Sequence, residues 1–217
     1  VARVLRLAVG DPLQLFDGRG MVYDAVIAQC ARGDVSVQVR DGRREDRESP
    51  LPVTLAQAVS SGERMDYTVQ KAVELGAVAI QPLLSERCVV RLSGERAEKR
   101  QAHWQGVVIA ACEQCGRNHL PQVQPLLPLA TWLEHPAAVD DLRLLLIPGA
   151  AGRVRQLPHP RAGVTLLAGP EGGLTAAEAA AAARAGFVPL ALGPRILRTE
   201  TAAVAALAAL QATWGDL

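Results

Sequence analysis

The hydrophobic rhythm of this chain changes near Pro52, and that change limits what it can fold into. Before it, apolar and polar residues alternate in short runs at 4–7, 13–16, 22–26 and 35–39, the period of half-buried strands. Gly10-Asp11-Pro12, Asp17-Gly18-Arg19-Gly20 and Arg32-Gly33-Asp34 place turn residues between them. The pattern predicts a small β-barrel-like module over residues 1–50. A charged stretch at 41–52, closed by Pro50 and Pro52, marks the expected boundary. Beyond it, strand-like runs at 53–59, 78–84, 142–147, 164–168 and 188–192 alternate with helical stretches at 63–75, 94–114, 176–185 and 200–213. That alternation is the signature of a parallel α/β sheet, expected to occupy residues 51–217.

Composition narrows the function classes. With 49% hydrophobic and 21% charged residues and a net charge of +1, the chain is globular rather than disordered. Basic and acidic residues are evenly spread, so any nucleic-acid footprint must be a local patch formed by folding. The longest clean apolar run is the nine residues 202–210, whereas a bilayer span needs about 20. No basic and apolar leader is visible, so a cytoplasmic protein without membrane contact is expected. The chain opens on Val1 directly into a strand-like run, and residues ahead of it are expected to be missing.

Cys112-Glu-Gln-Cys115 has no second Cys pair to complete a zinc site and ends a helical stretch instead of opening one. Cys30, Cys88, Cys112 and Cys115 therefore read as buried or half-buried free thiols. The four histidines lack ligand spacing, and no metal is expected.

Ligands of open α/β sheets bind outside the carboxyl ends of the strands. Three predicted strand ends carry loop chemistry: Leu146-Ile147-Pro148-Gly149, Ala168-Gly169-Pro170-Glu171-Gly172-Gly173, and Leu192-Gly193-Pro194-Arg195-Ile196-Leu197-Arg198-Thr199-Glu200. Glycines there let backbone N–H groups approach a ligand closely, although tight turns alone would use the same residues. Neither the dinucleotide fingerprint nor the P-loop pattern is present. Residues 201–210 are small and apolar on every face, so the last helix is expected to be enclosed by the sheet, a second copy, or both.

The second and third loops together resemble the signature of the bacterial 16S ribosomal RNA uridine-1498 N3-methyltransferases, of the SPOUT (trefoil-knotted) superfamily. Lys71-Ala-Val-Glu74-Leu75-Gly76-Ala77, Ile80-Gln-Pro82, Glu113-Gln114-Cys115-Gly116-Arg117, Leu120-Pro121 and Val4-Leu5-Arg6 extend the resemblance over almost the whole chain. It implies an N-terminal PUA-like RNA-binding barrel and a knotted α/β domain. It also implies a homodimer, S-adenosylmethionine as cofactor, and 16S rRNA of the small subunit as substrate. Family members carry residues ahead of the Val-Leu-Arg strand, so part of the barrel is expected to be absent.

With that resemblance in view, roles are expected residue by residue. Leu146, Pro148, Gly169, Pro170, Gly172, Gly173, Leu192, Gly193, Ile196 and Leu197 are expected around the cofactor. Arg198 is expected to stabilise the uridine N3 anion, unless it only binds a phosphate or pairs with Glu200. Glu171 accepts the N3 proton, bonds the cofactor, or braces its own loop. Arg3, Arg6, Arg87 and Arg117 are expected to meet RNA phosphates. Two other readings stay open: a SPOUT enzyme acting on another rRNA or tRNA nucleotide, and a non-catalytic RNA-binding assembly factor.

Overall fold

The computed structural model describes residues 7–31, 34–136 and 139–217. These residues form two compact units, one of those up to Glu48 together with 116–120, the other of those from Ser49 onward apart from 116–120. Segment 116–120, expected in the α/β domain, therefore belongs with the first unit.

In the first unit, β1 (Pro12–Phe16), β2 (Met21–Cys30) and β3 (Val35–Arg44) form an antiparallel sheet in that order. The expected strand at 4–7 lies almost wholly outside the described residues. Strand β3 runs into the charged stretch expected as linker, because antiparallel pairing with β2 continues to Arg44 opposite Met21. Segment 116–120 joins by main-chain bonds, Gly20 N–H to Asn118 carbonyl at 3.2 Å and Leu120 N–H to Gly18 carbonyl at 3.1 Å. Three described strands plus this segment are an antiparallel sheet, and the described residues do not close it into a barrel.

The second unit is the α/β part. Its elements in chain order are β4 (Val53–Ala58), α1 (Glu63–Glu74), β5 (Ala77–Leu84), α2 (Glu95–Cys115), β6 (Gln122–Val123), β7 (Leu127–Pro128), α3 (Leu129–Leu133), β8 (Leu142–Leu146), β9 (Val164–Ala168), α4 (Ala176–Arg184), β10 (Val188–Leu190) and α5 (Thr199–Trp214). The sheet order is β10-β8-β9-β4-β5-β6, with β7 also on β5, and every pair runs parallel. Strands buried on both faces need continuous apolar runs, and Leu144, Leu145, Leu166 and Leu167 are all fully buried. Ala56, Leu83, Leu145 and Leu167 pack with Leu129 of α3, Ala182 of α4 and Phe187. Helices α1 and α5 pack against each other and against the sheet.

Helix α5 departs from expectation within a single chain. Ala203, Ala206, Leu207 and Leu210 are buried, but Val204, Ala205, Ala208 and Ala209 are only half-buried and Thr201 and Ala212 are exposed. The sheet and α1 cover one side of the helix and leave the other partly open. Among the thiols, Cys88 and Cys112 are buried and Cys115 half-buried, while Cys30 is exposed at the end of β2, contrary to expectation. No described helix is long and apolar enough to cross a membrane.

Candidate active site

The three loops foreseen from strand ends converge. A cleft of about 440 Å³ is lined by Leu146 and Pro148 after β8, by residues 168–173 after β9, by 196–200 leading into α5, and by Ala202 and Arg64. A smaller contiguous hollow adds Leu192, Gly193 and Arg195 beside Leu146, Pro148 and Leu197. Every residue expected around the cofactor thus lies on one of these two surfaces. The site follows from register: β8, β9 and β10 are adjacent and parallel, so their carboxyl ends open on one edge of the sheet.

Local chemistry fixes the loop after β9. Gly173 sits at φ 67°, a left-handed conformation that favours glycine, and its N–H closes a turn on the Pro170 carbonyl at 2.9 Å. A Cβ on Gly169 would lie 3.1 Å from the Leu174 nitrogen, a close approach that glycine makes without displacing the loop. Thr175 then caps α4: its hydroxyl accepts the Glu178 N–H at 3.2 Å while the Glu178 carboxylate accepts the Thr175 N–H at 2.8 Å. The other Glu178 oxygen accepts the Glu86 N–H at 2.8 Å, tying the turn after β5 to the same helix start.

Beneath the cleft lies a buried polar link that sequence reasoning missed. Gln57 of β4, fully buried, donates to the Thr199 hydroxyl at 3.0 Å and to the Gly169 carbonyl at 3.2 Å. Thr199 in turn donates to the Gly169 carbonyl at 2.5 Å. The start of α5 is thereby fastened to the loop after β9. The signal available in sequence was an amide side chain inside the largely apolar run 53–59.

The charged groups divide sharply. Glu171 Oε1 accepts the Ser61 N–H at 2.8 Å, the Ser61 hydroxyl at 2.7 Å and Arg64 Nη1 at 2.9 Å. Partial burial pushes the Glu171 carboxyl up, but the bonds from Ser61, from its own N–H and from Arg64 outweigh it and hold the group at about 2. Such a carboxylate is a weak proton acceptor and a strong brace. Arg64, another residue the sequence did not single out, also lies 4.0 Å from Glu200 Oε1. Arg198 is exposed at the N-cap of α5, with no side-chain hydrogen bond or ion pair among the described residues, and it does not pair with Glu200.

Of the four arginines expected on RNA, Arg3 and Arg6 lie outside the described residues. Arg87 is exposed and donates to the Gly172 carbonyl at 3.0 Å, so it supports the glycine loop. Arg117 is a correction: it is 6% exposed, and its guanidinium pairs through Nε and Nη2 with Glu48 inside the first unit. A buried arginine held by a carboxylate has no free edge for a phosphate. Among the described residues, no three His, Cys, Asp or Glu side chains cluster to hold a metal.

A parallel α/β unit with a cleft of glycine loops at its strand ends has the architecture of the α/β proteins that bind small ligands at their strand ends. The family is fixed by comparison with known proteins. Residues 47–211 match the model of the RNA methyltransferase domain. Ribosomal RNA small subunit methyltransferase E of Buchnera aphidicola (subsp. Schizaphis graminum) is 35% identical over 217 residues, 100% of this chain and 88% of that protein. The protein of the same name from Synechocystis is 39% identical over 97% of this chain and 69% of its own length. A putative methyltransferase from Legionella pneumophila, solved with bound SAM, superposes with a TM-score of 0.95 at 42% identity, covering 100% of this chain and 89% of that one. The methyltransferase E of Neisseria gonorrhoeae, solved with S-adenosyl methionine, gives a TM-score of 0.92 at 42% identity with the same coverage. This chain belongs to the ribosomal RNA small subunit methyltransferase E family.

Proposed function

We propose that this chain transfers a methyl group from S-adenosylmethionine to N3 of a uridine of 16S ribosomal RNA, the position numbered 1498. The observation that carries the reading is the convergence of the three strand-end loops on one cleft, in a family whose solved members from Legionella and Neisseria hold this cofactor. The residues suit the group. Leu146, Pro148, Leu197 and the 84% exposed Ile196 offer apolar surface to an adenine ring. Gly169, Pro170, Gly172, Gly173, Leu192 and Gly193 line the same surfaces and are read as meeting the rest of the cofactor. When bound, the cofactor supplies an electrophilic methyl on a sulfonium centre.

The chain's own residues bind, orient and stabilise charge. Holding two reactants in line contributes up to about 7–11 kcal/mol in well-oriented systems, so rigid loops matter more than any single side chain. The bonds from Gln57, Thr199, Ser61 and Arg87 supply that rigidity. Arg198, exposed and uncommitted, faces the uracil carbonyl oxygens and favours the anion on which N3 reacts. Glu171 acts as the brace. Outside the cleft, the first unit is read as a PUA-like RNA-binding module, with Arg3 and Arg6 on phosphates. The α/β unit is read as knotted, which accords with β9 lying between β8 and β4 in the sheet. A homodimer, through the half-covered side of α5, and a cytoplasmic location complete the reading.

The test has two arms. Calorimetric titration with S-adenosylmethionine should show one site per subunit. Mass spectrometry of nucleosides from small subunits lacking the modification should then show 3-methyluridine after incubation with the chain. A different methylated nucleoside would move the activity to another target. No cofactor binding would leave an RNA-binding factor without catalysis.

A further inference from the structure

Methylation at N3 requires an acceptor for the N3 proton, and resting on the reading above we infer that this acceptor is Glu200. Two carboxylates line the cleft, and the structure distinguishes them. Glu171 presents an oxygen already accepting three hydrogen bonds and is held at a low pKa by them. Glu200 is the opposite case. Its side chain is 15% exposed, and its Oε2 is shielded from solvent with no hydrogen-bond partner among the described residues. Its Oε1 has only Arg64 Nε nearby, at 4.0 Å, beyond hydrogen-bond reach. Among the described buried polar atoms left without a partner, this is the one whose residue also lines the cleft as a carboxylate.

The position suits the chemistry of uracil. N3–H lies between two carbonyl groups, so a site acting on it needs a proton acceptor and a cation side by side. Glu200 and Arg198 stand two residues apart where α5 begins, and both line the cleft. The other charged groups that line the cleft are Arg64 from α1, which lies 4.0 Å from Glu200, Glu171 from the loop after β9, and Arg198. In the reaction the N3–H bond breaks and its proton passes to the Glu200 carboxylate. The pair left on N3 forms the bond to the methyl carbon as the bond from that carbon to sulfur breaks, its pair remaining on sulfur. The proton then leaves Glu200 to water.

The variant Glu200→Gln keeps size and shape and removes the base. Its methyl-transfer rate on unmodified small subunits, at saturating cofactor and over a pH series spanning neutrality, should fall by about 10²–10⁴-fold at neutral pH. The residual rate should climb with hydroxide concentration. S-adenosylmethionine affinity by calorimetry should match that of the unsubstituted chain, which also shows that the variant is folded. Glu200→Asp should recover part of the rate. A Glu200→Gln rate equal to wild type across the series overturns the assignment. So does a rate loss matched by loss of cofactor affinity, which would make Glu200 a cofactor ligand. Absence of methyl transfer by the unsubstituted chain overturns the proposed function itself, and that failure is visible before any variant is made.

Discussion

A single carboxylate oxygen of Glu171 links the loop before α1 to the loop after β9, and this has a consequence in acid. The group sits at about 2 in the folded chain against an ordinary value of 4.5, so its folded pKa is depressed. Its contribution to stability is complete above 4.5 and is lost as pH falls toward 2. Thermal melting followed down this window should decline less steeply in Glu171→Gln than in the unsubstituted chain. Equal slopes would place the acid sensitivity elsewhere. Arg198 offers a second test at this scale. Because it is exposed and unpaired among the described residues, Arg198→Ala should leave melting temperature and cofactor affinity unchanged. Its methyl-transfer rate should fall by about 10²–10³-fold, the usual loss for one donor facing developing negative charge. Much of this site was legible in sequence, because glycines at strand ends and an arginine beside them carry local signals. Arg64 and Gln57 were not, since each reaches the cleft only through sheet order. Arg117 misled for the same reason: the Glu48 that buries it lies 69 residues away.

Among the elements, α4 shows local sequence deciding structure. Its Ala-rich body has strong helix propensity, and Thr175 with Glu178 fixes where it begins. Thr175→Ala should lower stability by about 0.5–2 kcal/mol, the range for losing such a cap. Denaturant melts would read this as a lower midpoint at unchanged slope. Glu178→Ala should cost more, because it also releases the Glu86 N–H. Rhythm likewise located the longer strands and helices of the α/β unit. It failed at β3, where residues 40–44 are all exposed and charged or glycine, so no alternation marks a strand that exists through pairing with β2. It failed also at β6 and β7, two residues each, which are too short to carry any period.

At the scale of the molecule, the sheet order could not be read from pattern, because neighbours such as β9 and β4 are separated by more than a hundred residues and pair only in three dimensions. The last helix was legible in part: its all-apolar sequence demanded more cover than one chain supplies. Val204, Ala205, Ala208 and Ala209 remain half-buried along it, small enough for a second helix to approach closely. Ala208 lies eight residues from Glu200, about 12 Å along the helix. A second copy seated on this face would therefore be held by the same rigid rod that presents Arg198 and Glu200 to the cleft. Ala208→Arg places a charge and a long side chain on the open side without entering the core. Sedimentation equilibrium should then find a dimer for the unsubstituted chain and a monomer for the variant, with the melting of the monomer's α/β unit still cooperative. If the variant sediments as the unsubstituted chain does, α5 is not the seam. If the variant is monomeric and methyl transfer is lost along with the dimer, the second copy helps to form the site, and the uncovered side of α5 is explained by function as well as by packing.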